Sequence, residues 1–401
     1  MKCDIRRIFS TTSLLASVLV VSSLSTSVAM AKGSRKTSLP ASLLKKVTKP
    51  AKKTSLKPSE KSYFNLKELH SRYVSWGVDP ENKKSSINLL DAWRKFEKKK
   101  DIVVAVIDTG IDPGHPFLKS NLHVTQGNSS QTNYGLDFSK NKLNLYRPSD
   151  SHGHGTHVSG IVRSVNPEVK ILTLKYYNPQ ASGQDNLNST IKALRYAVDQ
   201  NVDIINYSGG GPEPALEELR ILKLAEKKGI LVVAAAGNEE SNIDIKNNAY
   251  YPASYGLKNI ITVTAHDQAL RLLSSSNYGK ESVDITAPGY RIRSALPNGR
   301  SGYLTGTSQA TAFVSGVAAL LKSKHPNLTA AELKEIIKSS AKKEITLLSR
   351  CSSGGRLNAG KAINLAERYI KAKSLKRELA NKKVASDTKP KTGKITYLKA
   401  N

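Results

Sequence analysis

The sequence predicts an α/β domain: a central, mostly parallel sheet with helices on both faces. Three observations predict it. Continuous apolar runs at 102–107, 171–175, 202–206, 230–236 and 259–264 have the character of strands covered on both faces. Helical stretches at 155–163, 187–199 and 214–228 alternate with them, the pattern that gives parallel strands joined by helical crossovers. The run from Gly306 to Leu321 is small or apolar on every side, with no charge before Lys322, so it reads as a helix enclosed in a large core. In such a fold ligands meet the carboxyl ends of the strands.

The chain has 401 residues, of which 39% are hydrophobic, enough for a substantial core. Residues 1–31 begin with Lys2, Arg6 and Arg7, continue with Leu, Val, Ser and Thr, and end in Ala29, Met30 and Ala31. This is the layout of a secretory signal peptide cut after Ala31, so an extracellular or periplasmic protein is expected. Its apolar run is too short and too Ser-rich for a membrane anchor. Arg6 and Arg7 match a twin-arginine signal poorly, and the export route is not assigned. Residues 32–72 are rich in Lys and Ser, with Pro40, Pro50 and Pro58, and read as a basic propeptide or linker. One ordered domain is expected over 73–367, starting with a short helix at 87–93 and ending with helices at 308 onward, 329–342 and 358–373.

Residues 368–401, Lys-rich and carrying Pro390, show no core-forming pattern and are expected as a basic, disordered tail. The net charge of +30 sits mainly at the ends: residues 1–73 hold 15 Lys/Arg against 3 Asp/Glu, and residues 368–401 hold 11 against 2. Such ends attract anionic surfaces. They carry no aromatic platform or recognition motif, which argues against a specific nucleic-acid partner. Cys3 belongs to the signal, so Cys351 is alone in the exported chain and no internal disulfide is expected.

The residues that carry chemistry stand at predicted element ends. Asp108 closes the first strand in Asp-Thr-Gly, His154 lies among His152, Gly153, Gly155, Thr156 and His157, and Ser308 opens the buried helix. Unpaired N–H groups and the positive end of the helix dipole make that last place suited to a developing oxyanion. Each has an ordinary alternative. Asp108 alone is a turn cap, Ser308 alone an N-cap, and the three histidines lack the Cys or acidic partners of a zinc site. Together, a hydroxyl, an imidazole and a carboxylate are the set that nucleophilic hydrolysis needs.

Asp-Thr-Gly at Asp108, His-Gly-Thr-His-Val from His154 and Gly-Thr-Ser at Ser308, in that order, make the chain resemble the subtilisin-like serine proteases, the subtilase (peptidase S8) family, from about Tyr73 to Glu367. The resemblance implies the three-layer subtilisin-like fold and a secreted serine endopeptidase. Ser308 would be the nucleophile, His154 the general base and acid, and Asp108 the group orienting His154. Asn238, ending Ala-Ala-Ala-Gly-Asn, would hold the oxyanion together with the Ser308 N–H. The polypeptide substrate would lie extended between Lys175, Tyr176 and Tyr177, running on to Asn178, and Ser208, Gly209 and Gly210. An inactive relative kept for binding is disfavoured, because no member of the triad is missing.

The resemblance further implies that the chemistry needs no cofactor and that the site holds no metal. Residues 163–169 are too short for the calcium-binding loop some members carry there, while a structural calcium elsewhere remains compatible with it. A monomer is expected, and a propeptide segment too short to be a folded chaperone implies unassisted folding. Gly209 stands where many members have a larger side chain, which predicts a wider pocket. Gln309 replaces the family's Met, and Ala312 and Phe313 replace its Pro and His; none of these removes a catalytic role. The Ala-Pro-Gly stretch at 284–289 reads as structural, and Glu240 and Asp244 as turn or surface residues rather than attractors of a basic side chain.

Overall fold

The computed structural model describes residues 66–124, 133–139 and 146–387. The expected signal peptide, residues 32–65 of the expected linker and the last part of the tail, 388–401, lie outside the described residues. The strands are β1 (Val103–Asp108), β2 (Gly135–Asp137), β3 (Lys170–Lys175), β4 (Ile204–Tyr207), β5 (Leu231–Ala235), β6 (Ile260–His266), β7 (Ile285–Pro288), β8 (Ile292–Leu296), β9 (Arg300–Leu304), β10 (Lys342–Lys343) and β11 (Gly355–Arg356). Nine of them form one sheet in the order β10-β11-β7-β6-β5-β4-β1-β3-β2. Every pairing is parallel except β10 with β11.

The order turns back at β1: β3 and β2 lie on one side of it, β4 to β7 on the other. A crevice opens at the carboxyl ends of the strands where two neighbours lead their chains to opposite sides. Asp108 ends β1 at that point, and the register Ile107↔Tyr207 puts the start of the 208–211 segment beside it.

Strand residues alternate between two cores, as a period of two requires. Val104, Val106, Ile204, Leu231 and Val233 join the larger core, with the helices His154–Val165, Thr307–Lys324, Ala330–Ser339 and Ala359–Asp387. Ala105, Ile107, Ile205, Val232 and Ala234 join the other, with the helices Gly183–Asp199 and Leu216–Lys227. Helices thus cover both faces, and every residue from Thr307 to Leu321 is buried. That helix meets the His154 helix closely at Gly316, where an added Cβ would stand 2.6 Å from Val165 Cβ.

Several elements differ from the sequence reading. The helix expected from 187 starts at Gly183, because the Ser182 hydroxyl caps it by accepting the Asp185 N–H. The β8–β9 hairpin was not foreseen, although Asn298 and Gly299, at φ 66° and 67°, supply the Asn-Gly signal such a turn needs. The stretch at 284–289 holds β7, paired in register with β6. Residues 66–70, placed in the linker, form a 3-10 turn with Leu69 buried in the larger core. The last helix continues to Asp387 instead of ending near Lys373, so 368–387 is helical where a disordered tail was expected. Tyr369 and Lys373 anchor its middle by bonding the Glu332 carboxylate. Among the described residues no helix is long and apolar enough to cross a membrane.

Candidate active site

β1 delivers Asp108 to the crevice, and its side chain is 3% exposed. Its Oδ1 accepts the Thr109 N–H at 2.7 Å and faces His154 Nδ1 at 2.7 Å, while Oδ2 is buried with no hydrogen-bond partner. His154 is the first residue of its helix, and its ring is 24% exposed. Burial disfavours the charged ring, but the charge and hydrogen bond of Asp108 outweigh it, so the His154 pKa is raised above the usual imidazole value.

What aims the imidazole is a residue the sequence reading passed over. Asp150, buried, accepts the N–H groups of His152 and Gly153 on Oδ1 and the backbone N–H and hydroxyl O–H of Thr156 on Oδ2. It also accepts the Thr109 hydroxyl at 2.9 Å, and that hydroxyl in turn accepts the Gly155 N–H. One carboxylate therefore ties the end of β1 to the open N-terminus of the His154 helix, where unpaired N–H groups await an acceptor. Burial opposes its ionisation, yet these donors hold the Asp150 pKa below the usual carboxylate value. An Asp just ahead of a helix start was the available signal. Gly155 permits the contact, since a Cβ there would stand 2.2 Å from Gly110 O.

Ser308 lies in the first turn of its helix and is 7% exposed. Its hydroxyl donates to the Ser208 carbonyl at 3.1 Å, and no hydrogen bond links it to His154. Gly306, the residue before the helix, has φ 152°, a conformation side chains avoid. Asn238 Oδ1 accepts the N–H and the hydroxyl of Thr307 at 3.0 and 3.2 Å, capping the helix, and its Nδ2 has no partner among the described residues. The Asn238 loop is held by Asn277, whose Oδ1 accepts from Glu239 and Ser241 and whose Nδ2 donates to Ala236 O. Gln309 is buried, with Nε2 unpartnered.

The other candidates fall in two groups. His157 is a core residue: it is fully buried, its Nε2 donates to Ile292 O at 2.9 Å, and burial pushes its pKa down to about 4. His152 stands edge-on to Tyr177. Among the described residues no cluster suits a metal ion. Asp244 accepts the N–H groups of Glu281 and Ser282, the structural role expected.

Along the proposed peptide edges, Lys175 is engaged within the sheet, with its carbonyl accepting Phe138 N–H and its ammonium donating to Ser149 O. Tyr176 N–H donates to Asp108 O, and both polar backbone atoms of Asn178 pair with the Asn186 amide. Gly211 is paired with Tyr251. The free backbone therefore narrows to Tyr177 and the Tyr176 carbonyl on one side and Gly209 and Gly210 on the other. Gly209 does not widen a pocket. A Cβ there would stand 2.6 Å from the Tyr176 hydroxyl, so the glycine makes room for that tyrosine.

A parallel sheet whose switch point gathers a carboxylate-bound imidazole and a serine in the first turn of a buried helix defines a serine-type hydrolase. The Subtilase family (peptidase S8) matches over residues 99–361, and the chain belongs to that family. It is 39% identical over 246 residues to the major intracellular serine protease of Bacillus subtilis, covering 59% of this chain and 73% of that one. It is 36% identical over 250 residues to subtilisin E of the same organism, spanning 60% of either chain. Its fold is similar to the crystal structure of a cold adapted subtilisin-like serine proteinase, with a TM-score of 0.54, 27% identity and coverage of 64% of this chain and 88% of that one. The protein is accordingly a serine endopeptidase acting on polypeptides by the Ser/His/Asp mechanism of its family, a mechanism that needs no cofactor.

Two measurements test this geometry. Because the folded pKa of His154 is raised, its charge contributes stability below the unfolded value of about 6.5 that is lost as pH rises through the folded value. NMR titration places the His154 pKa above about 6.5, and Asp108→Asn brings it below, since burial, the largest cause, is then opposed only by the charge of Asp150. Asp150→Ala leaves buried N–H groups without an acceptor; it lowers stability by about 3 kcal/mol or more in urea unfolding, and misplacing His154 lowers kcat/KM by about 100-fold.

Proposed function

We propose that Ser308 Oγ attacks the scissile carbonyl, with His154 Nε2 taking its proton while Asp108 holds Nδ1–H and stabilises the imidazolium. His154 then protonates the leaving amine, and water, activated by the same ring, releases the acyl group from Ser308. The Ser308 N–H, at the positive end of its helix, and Asn238 Nδ2, free because Oδ1 is spent on the cap, stabilise the tetrahedral oxyanion. The observation that carries this is the 2.7 Å contact of His154 with Asp108, beside a helix-borne serine bonded to the next strand's Ser208. Rotation about χ1 releases the Ser308 hydroxyl from Ser208 toward the imidazole.

The substrate lies as an added strand between Tyr177 with the Tyr176 carbonyl and Gly209–Gly210, where main-chain groups are unpaired. Ser308→Ala abolishes peptide cleavage above the background of the remaining site. Asn238→Ala lowers kcat by about 100- to 1,000-fold with KM little changed, as loss of one oxyanion donor does; cleavage by the Ser308 variant at the parent rate would refute the assignment.

The same reading makes residues 1–31 a signal peptide, the stretch from 32 up to the folded turn at Leu66 a basic propeptide or linker, and the mature enzyme a secreted monomer with basic ends that contact anionic surfaces. Support comes from the charge and apolar pattern of the first 31 residues, since one relative is named an intracellular protease. Protein recovered from culture medium or periplasm begins after Ala31 or further on by N-terminal sequencing; a mature chain beginning at Met1 inside the cell would contradict it.

A further inference from the structure

Beside the free edge at Gly210 lies a cavity of about 430 Å³, walled by Tyr176, Tyr177, Leu187, Gly210, Gly211 and Tyr251. Glu218 and Glu213 also line it, and no Lys or Arg does. Glu218 is the unusual member. It lies on the helix Leu216–Lys227 in the stripe formed with Ile221, Leu222 and Ala225, a spacing that belongs to apolar residues, and is 1% exposed.

Its carboxylate accepts hydrogen bonds from Tyr207 at 2.8 Å and from Tyr255 at 2.9 Å, but forms no ion pair among the described residues. Burial, only partly offset by these hydroxyls, raises the Glu218 pKa above the usual carboxylate value. A buried charge without a cation is expensive, and a purely structural position would be served as well by an apolar residue. An incoming ammonium or guanidinium would supply the missing charge, and tyrosine faces add cation–π attraction on the way in.

We propose that this cavity is a side-chain subsite selecting lysine or arginine in the substrate, with Glu218 as its specificity-determining residue. The proposal rests on the peptide lying along Gly209–Gly210 as described above. Gly210 and Gly211 are two and three residues beyond Ser208, about 7–10 Å along an extended segment, so the selected residue stands a few positions from the scissile bond.

The test is a set of fluorogenic peptides on the full-length enzyme, with each of the four positions on the acyl side varied in turn among Lys, Arg, norleucine, Phe and Gln. At one position, Lys or Arg raises kcat/KM over norleucine by about tenfold or more, the range of a charge-assisted bond. Glu218→Gln, nearly isosteric, reduces that ratio to near one. Gly183→Tyr, at a lining position where an added Cβ meets nothing within 4 Å, narrows the cavity and abolishes the preference without touching the carboxylate, so a poorly folding Glu218 variant does not leave the matter there. Equal or greater rates for norleucine or Phe at every position, or a basic preference unchanged in both variants, would overturn the subsite while leaving the triad standing. A parent enzyme cleaving no peptide would overturn the triad reading and this proposal with it.

Discussion

The Asp150 carboxylate is the contact on which the geometry of the site depends. A helix start exposes N–H groups that nothing within the helix can satisfy, and a strand end exposes a side chain that must be aimed. Asp150 joins the two through Gly153, Thr156 and Thr109, so the first residue of the helix and the last residue of β1 present an imidazole and a carboxylate to one another at 2.7 Å. Precision here comes from backbone donors, which cannot rotate away as a long side chain can.

The second helix start follows the same logic with a different acceptor. Asn238 divides its amide: the oxygen caps the Ser308 helix and the nitrogen is left over. The cap thereby fixes which way the remaining donor points. Among the buried polar atoms without a partner are two on site residues, Asp108 Oδ2 and Gln309 Nε2, and such groups reduce stability. A site that must receive a changing charge carries them as part of its design, and the fully buried Ser308 helix and two-sided core supply the stability that offsets them.

The fold was legible in the chain wherever a signal was local. Buried parallel strands announce themselves as unbroken apolar runs, and Asp108 ends one of them while His154 and Ser308 stand at helix starts, so position and residue type agreed. Asp150 was not legible, because a lone acid ahead of a helix has many uses and only the fold brings Thr109 to it. Gly209 misled for the same reason: its lack of a side chain looked like open space, while the space is taken by Tyr176 from another strand. Glu218 breaks the apolar period of its helix, a visible irregularity whose meaning depends on two tyrosines, 11 and 37 residues away in sequence, that meet it in the core. The helix from Ala359 outlasts its core-facing pattern, and high Lys content masked its helical character.

The sheet also settles where foreign chain can attach. Its outermost strands among the described residues are β2, of three residues, and β10, of two. Edges so short offer too few consecutive backbone groups to recruit a stray strand. A catalyst working among unravelled polypeptides is surrounded by partners eager for such pairing, and these clipped borders keep it from co-aggregating with its own diet. Within that sheet, hospitality to an extended chain falls instead to the unpaired backbone of the groove proposed above, at Tyr177 and Gly209–Gly210.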